Sequence, residues 1–192
     1  MNCLSRILLV LALGMSSTSA FGVTYEALLS GAFENPVNAS PALGDATITI
    51  LGNQMTVDVN FSGLVGGAAS AAHIHCCIVR PTTTSVAVGF PGFPNATSGT
   101  YNHVFDLTDS SIYTGGFLTA NGGTAAGAQA ALLAALSNWA DITKPQSYVN
   151  IHNSQFPGGE IRGFPVLVPE PASIMLVAAG LAAVAMRRRR AS

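Results

Sequence analysis

"ATITILGNQMTVDVNF", residues 46–61, decides the fold of this chain. Ile48 and Ile50 alternate with Thr47 and Thr49, and Met55, Val57, Val59 and Phe61 alternate with Thr56, Asp58 and Asn60. Period-two alternation in β-branched residues marks two half-buried strands, and "LGNQ" between them reads as a hairpin connection. Working outward, "YEALLSGAF" (25–33) precedes the hairpin and "YNHVFDL" (101–107) follows it as further strands. "QSYVNIH" (146–152) and "GEIRGFPVLV" (159–168) form a closing pair around a turn at Pro157-Gly158-Gly159. "RPTTTSVAVGFPGFPNATSG" (80–99) is a Pro- and Gly-rich loop with a short strand at Ser85–Val88. Only "TAAGAQAALLAALSNWA" (124–140) breaks the pattern, with Thr124 as N-cap and Leu132, Leu133, Leu136 and Trp139 as an apolar stripe. The expected architecture is mainly β: a Greek-key β-sandwich or barrel with one inserted amphipathic helix.

The two ends carry addresses rather than fold. Arg6, the apolar run Ile7–Met15 and small residues ending at Ala20 have the order of a secretory signal peptide over residues 1–20, with cleavage after Ala20. Cys3 lies inside it. At the other end, Pro169-Glu170-Pro171 is followed by an apolar run, 172–186, and by Arg187, Arg188, Arg189 and Arg190. Fifteen helical residues reach roughly 22 Å at 1.5 Å each, short against a hydrocarbon core of about 30 Å. The arginines would hold such a tail on the cytoplasmic side. This segment, 168–192, resembles the PEP-CTERM sorting signal of Gram-negative bacteria. The resemblance implies export, recognition by an exosortase-type membrane enzyme, and removal of the tail; a retained single-pass anchor is the other reading. Export machinery and signal peptidase are the further partners implied.

Charge excludes one class of partner. Residues 21–168 keep Arg80, Lys144 and Arg162 against eight acids, a net of −5. Three scattered cations make no footprint for a phosphate backbone, so nucleic acid is not expected. Catalytic signatures are absent too. No serine sits in a nucleophile-elbow context, no glycine-rich loop follows a strand to cradle phosphate, and the acids are scattered singly.

Soft ligands crowd in one place, "AAHIHCC" (71–77). In a strand His73, His75 and Cys77 share one face, opposite Ala72, Ile74 and Cys76. The same parity in "SYVNIH" groups Tyr148, Asn150 and His152 opposite Val149 and Ile151. With the aliphatic residues in the core, His73, His75 and His152 point outward together. His-x-His on one strand with a third His on another suits a copper or zinc site. The plainer reading leaves them as polar residues bonding backbone or loop groups near the sheet rim. Cys76 and Cys77, in an oxidising compartment, form a vicinal disulfide, add a thiolate to the metal, pair with another chain or stay free. A bond between them needs a local distortion of the strand. His103, between Tyr101 and Phe105, reads as a packed or rim residue. Glu160 and Arg162, two apart, read most simply as an ion pair.

Three blocks carry a family resemblance: "YEALLSGAFENPVNASPALGDATITI", "VNFSGLVGGAASAAHIHCC" and "YVNIHNSQFPGGEIRGF". Together they resemble the CHRD domain, a module of exported proteins, over residues 24–166. "SGLVGGAASAAHIH" and "YVNIH" are also similar to the copper strands of Cu/Zn superoxide dismutases. That likeness implies copper ligation by His73, His75 and His152, and an anion-guiding role for Arg162. It supplies no zinc loop and no bridging histidine, so dismutase activity does not carry over. Two function classes stand open: a surface or matrix module that binds exopolysaccharide or matrix proteins without catalysis, and a copper- or zinc-binding redox protein.

Overall fold

The hairpin of residues 46–61 is the centre of one half of the sheet in the computed structural model, which describes residues 22–144 and 146–169 together with residue 180. Strands β2 (Leu43–Leu51) and β3 (Gln54–Ser62) pair antiparallel without interruption, from Leu43↔Ser62 to Leu51↔Gln54. Gly52 turns the chain at φ +59°, a left-handed conformation that glycine adopts without a Cβ clash.

Around this hairpin the chain adds β1 (Val23–Ser30), β4 (Ala69–Ile78), β5 (Val86–Gly89), β6 (Gly99–Asp106), β7 (Gln146–Asn153), β8 (Ile161–Gly163) and β9 (Val166–Val168). The order across the sheet is β5-β4-β7-β8-β1-β2-β3-β6, with β9 alongside β1. The β3–β6 and β4–β7 neighbours are Greek-key crossings, and every named pairing is antiparallel. The sheet curls into a half-barrel. Its inner face buries Ala27, Leu29, Ile48, Val57, Val59, Ile74, Val149, Ile151 and Ile161 in a single core. Between the edge strands β5 and β6 the wall is completed by side chains: Phe90 lies 5.2 Å from Tyr101 and 6.2 Å from Phe105, ring to ring.

Between β6 and β7 the described residues form two α-helices where one was expected. Helix α2 (Ala125–Ser137) is capped by Thr124, whose hydroxyl accepts from Gly127 N at 3.1 Å. It buries Ala128, Leu132, Ala135 and Leu136, while Leu133 and Trp139 are half-buried against the core. The short α1 (Gly115–Ala120) has the same device at Thr114, but its "GGFLTA" is poor in helix formers and shows no periodicity over six residues. Likewise "GEIRGFPVLV" is two strands, not one. Pro165 lacks the N–H a continuous ladder needs, so β8 pairs with β7 and β9 with β1.

Among the described residues no helix is long and apolar enough to cross a membrane. The signal segment 1–20 with Ala20, the sorting residues Glu170, Pro171 and Arg187–Arg190, and the apolar run 172–186 apart from Gly180 lie outside the described residues. Pro169, which is exposed, ends the described domain.

A candidate metal centre on the outer face of β4 and β7

Strand parity places the histidines. Because Ile74, Val149 and Ile151 enter the core, His73 and His75 of β4 share the opposite face with Tyr148, Asn150 and His152 of β7. The register sets His73 against Asn150, His75 against Tyr148, and His152 beside Ala71, diagonally across from His73. Ring centroids are 5.6 Å apart for His73 and His75, 5.0 Å for His73 and His152, and 5.9 Å for His75 and His152.

This face is not the open rim that alternation implied. His75 is 6% exposed and Tyr148, Asn150 and Arg162 are fully buried. The cover comes from loop segments: the loop after β4 lays Thr84 over His75, and the turn after β1 brings in Glu34. A second, polar layer therefore lies behind the apolar core.

Hydrogen bonds fix which nitrogen is free in two of the three rings. His75 Nδ1 lies 2.8 Å from the Thr84 carbonyl, and His152 Nδ1 lies 3.0 Å from the Pro157 carbonyl. A carbonyl only accepts, so each ring donates its Nδ1–H and keeps a lone pair on Nε2. The Pro157 carbonyl is presented by the Pro157-Gly158-Gly159 turn. Gly159 has φ +126°, and a Cβ there would meet the Asn150 amide, so the turn is built around glycine. His75 Nε2, His152 Nε2 and His73 Nδ1 are buried without a hydrogen-bond partner. One ligand nitrogen from each residue lies within 4.8 Å of the other two. Three such points have a common centre within about 2.8 Å of each, and a bound ion at the usual ~2.0–2.1 Å would draw the rings inward by under 1 Å. Buried polar atoms are ordinarily satisfied, and a compact trio of imidazoles, each with a bare buried nitrogen, is a candidate ligand set.

Electrostatics keep the set deprotonated. Burial lowers His73 and His75 from the ordinary 6.5 to about 4, helped by the neighbouring histidines. Burial lowers His152 as well. An unfolded histidine takes up its proton near 6.5 and the folded one only near 4, so the unfolded state binds more protons between these values and stability is lost as pH falls through that window. Glu34 opposes this: burial lifts it from 4.5 to about 7 against the pull of Arg162, so its contribution falls as pH rises from 4.5 toward 7. Three groups outweigh one. The metal-free domain is expected to unfold at lower urea at pH 5 than at pH 7, and a His73→Ala/His75→Ala/His152→Ala variant to show a flatter or reversed slope; a wild-type midpoint that does not move would contradict this.

The cysteines lie elsewhere. Cys76 and Cys77 are joined in a disulfide where the β4–β7 ladder shifts register between His75 and Ile78. Both sulfurs approach the Ala131 carbonyl of α2, at 3.9 and 3.5 Å, so neither is a further ligand or a free thiol beside the histidines. His103 packs between Tyr101 and Phe105, 6.0 and 4.5 Å away, and lines a groove of about 640 Å³ between β4, β5 and β6 whose other wall includes His73.

The Glu160–Arg162 pair expected from sequence is not formed. Arg162 Nη2 pairs with Glu34 at 3.1 Å, with both side chains buried. Glu160 instead accepts from Ser40 Oγ at 2.5 Å, from Val65 N at 2.8 Å and from the Asn153 amide. The reason is positional. Glu160 precedes β8 and meets the loops around Ser40 and Val65, whereas Arg162 is inside β8, in register with Asn150 and Ser30, behind the sheet. Enclosed in this way, Arg162 has no surface on which to guide an anion. Its guanidinium carbon lies 4.1 Å from the ring of Tyr148, which stacks on His75 at 4.6 Å with planes 5° apart. Tyr148, Arg162 and Glu34 complete the surroundings of the histidines. Only Tyr148 was signalled by spacing; the carbonyls of Thr84 and Pro157 carry no residue signature.

The family models agree with the sequence blocks. A CHRD domain model matches residues 25–164, and a PEP-CTERM protein-sorting motif model matches residues 167–190. No curated protein and no solved structure gives a significant match. With the domain model covering most of its length, the chain belongs to the CHRD domain family.

Proposed function

We propose that this protein is an exosortase-sorted, surface- or matrix-associated CHRD module that acts by binding, and that its domain binds one transition-metal ion, copper or zinc, through His73 Nδ1, His75 Nε2 and His152 Nε2. The sorting motif at 167–190 marks the chain for an exosortase-type enzyme and for the exterior of a Gram-negative cell. One observation carries the metal reading: the three histidines cluster with a ligand nitrogen of each within 4.8 Å of the others, each ring keeps a buried nitrogen with no partner among the described residues, and backbone carbonyls hold the other nitrogen of two of the rings. Such outer hydrogen bonds orient metal-bound histidines and fix their tautomers. In this reading, exopolysaccharide or matrix proteins are what the displayed module would meet after sorting.

The test is metal content. The chain is exported to a periplasm, purified without chelators or a polyhistidine tag, and analysed by mass spectrometry for bound elements. Close to one equivalent of copper or zinc is expected, and none in the His73→Ala/His75→Ala/His152→Ala variant. Wild-type protein that takes up neither metal, even on titration, would overturn the reading.

A further inference from the structure

We infer that the three-histidine centre selects copper as Cu(I) over Zn(II). This rests on the metal reading above and adds the identity and charge of the ion.

The first observation is the donor count. Among the described residues the cluster offers three nitrogens and no carboxylate. The candidates for a fourth ligand are otherwise engaged. The sulfurs of Cys76 and Cys77 are bonded to each other and face α2. The Tyr148 hydroxyl is held by Thr84, 3.2 Å from its N–H and 3.4 Å from its carbonyl. Glu160 is engaged by loop amides and Ser40. The three nitrogens are themselves shut off from solvent, and since His73 lines the groove between β4, β5 and β6, a water completing the shell of an ion would have to enter from that groove. Structural zinc sites are almost always held by four protein ligands, and three-histidine zinc sites complete the shell with a water. Cu(I), with a filled d shell and a single charge, is satisfied by three neutral nitrogens.

The second observation is charge. Three neutral imidazoles give the ion no countercharge in a buried layer, where each unit of charge is costly to desolvate. A cation lies close by, across the ring of Tyr148. The Arg162 guanidinium lies on one face of Tyr148 and His75 on the other. Its counterion Glu34 is bound to the guanidinium itself and to the Asn150 amide at 3.1 Å, not to any histidine. At an effective dielectric of about 20, a cation this close, offset in part by its Glu34 counterion, weakens binding by up to about tenfold for each positive charge the ion carries. A divalent ion bears that penalty twice, and both observations act in the same direction.

The experiment is an anaerobic competition on the intact exported chain. Cu(I), buffered by a chromophoric Cu(I) chelator, is titrated in with and without Zn(II) at about tenfold excess, and bound metal is counted after desalting. One equivalent of Cu(I), retained against Zn(II), is expected. Zinc bound at one equivalent in place of Cu(I) would overturn this inference and leave the metal centre standing. Binding of neither would remove both. A Glu34→Leu/Arg162→Met variant, which replaces the ion pair with apolar side chains, is expected to narrow the Cu(I)-to-Zn(II) affinity ratio by up to about tenfold, less whatever the lost carboxylate had offset; an unchanged ratio would remove the guanidinium from the argument. The competition on the wild-type chain stands even if that variant fails to fold.

Discussion

His75→Ala is expected to lower metal affinity by more than the roughly 100-fold that loss of an outer hydrogen bond reaches, and His103→Ala to leave it unchanged. The two substitutions remove the same side chain from the same sheet. His75 lies in the polar layer with its Nδ1 on the Thr84 carbonyl, its ring on Tyr148 and its Nε2 bare. His103 stands on β6 between two aromatic rings and outside the histidine cluster. Deleting His75 leaves two donors and opens a gap beside Tyr148, so both coordination number and shielding fall. Competition titration with a chromophoric chelator reads the difference directly. Equal losses in the two variants would mean that binding is diffuse surface chelation; no loss in His75→Ala would mean that the converging nitrogens do not hold the ion.

Glu34→Ala is expected to cost about 3 to 5 kcal/mol of stability at pH 8, the range for breaking a buried ion pair, and to lower the midpoint of thermal unfolding by roughly 10 °C. The guanidinium of Arg162 is fully buried and cannot shed its proton, so removal of Glu34 leaves a charge with no counterion. The Asn150 amide loses its acceptor at the same time. The choice of pH follows from Glu34 itself, which burial raises to about 7, so the pair is fully ionised only above that value. Joint replacement by Glu34→Leu/Arg162→Met is expected to cost far less than the single change, because an apolar pair needs no compensation. Urea unfolding of the three proteins checks both statements. A Glu34→Ala change below about 1 kcal/mol would place the pair among surface ion pairs in its energetics.

The sequence carried the sheet and the histidine parity, and it did so for the same reason. Residues 46–61 alternate because one face of each strand is buried, and "YVNIH" alternates because Val149 and Ile151 enter the core. His152 is therefore readable as a neighbour of His73 and His75. Hidden from that reading was the cover on the outer face. Thr84 and Glu34 come from segments without periodicity, and they reach the histidine layer only because of how β4, β7 and β8 lie side by side. The same blindness produced the Glu160–Arg162 pairing. Two residues apart on a strand share a face, but Glu160 lies before the strand begins, and the Val65 amide it takes up and the Glu34 carboxylate that Arg162 takes up each lie more than 90 residues away in the chain.

The place of β9 gives the fold a timetable. Thr24, at the start of the domain, pairs with Val168, at its end, and Ser30 pairs with Arg162. For a chain threaded N-terminus first and unfolded through a membrane, β1 emerges early and waits for its last partners until nearly the whole domain has passed. The β2–β3 hairpin needs no such delay, since its partners are adjacent in sequence. The imidazoles of β4 likewise have no third donor until β7 has followed them out. A tail that holds the chain at the membrane after residue 168 would keep the nascent domain beside the translocation site during that wait. If the proposed centre binds metal, an exported chain would complete it only after β7 has followed β4 across the membrane.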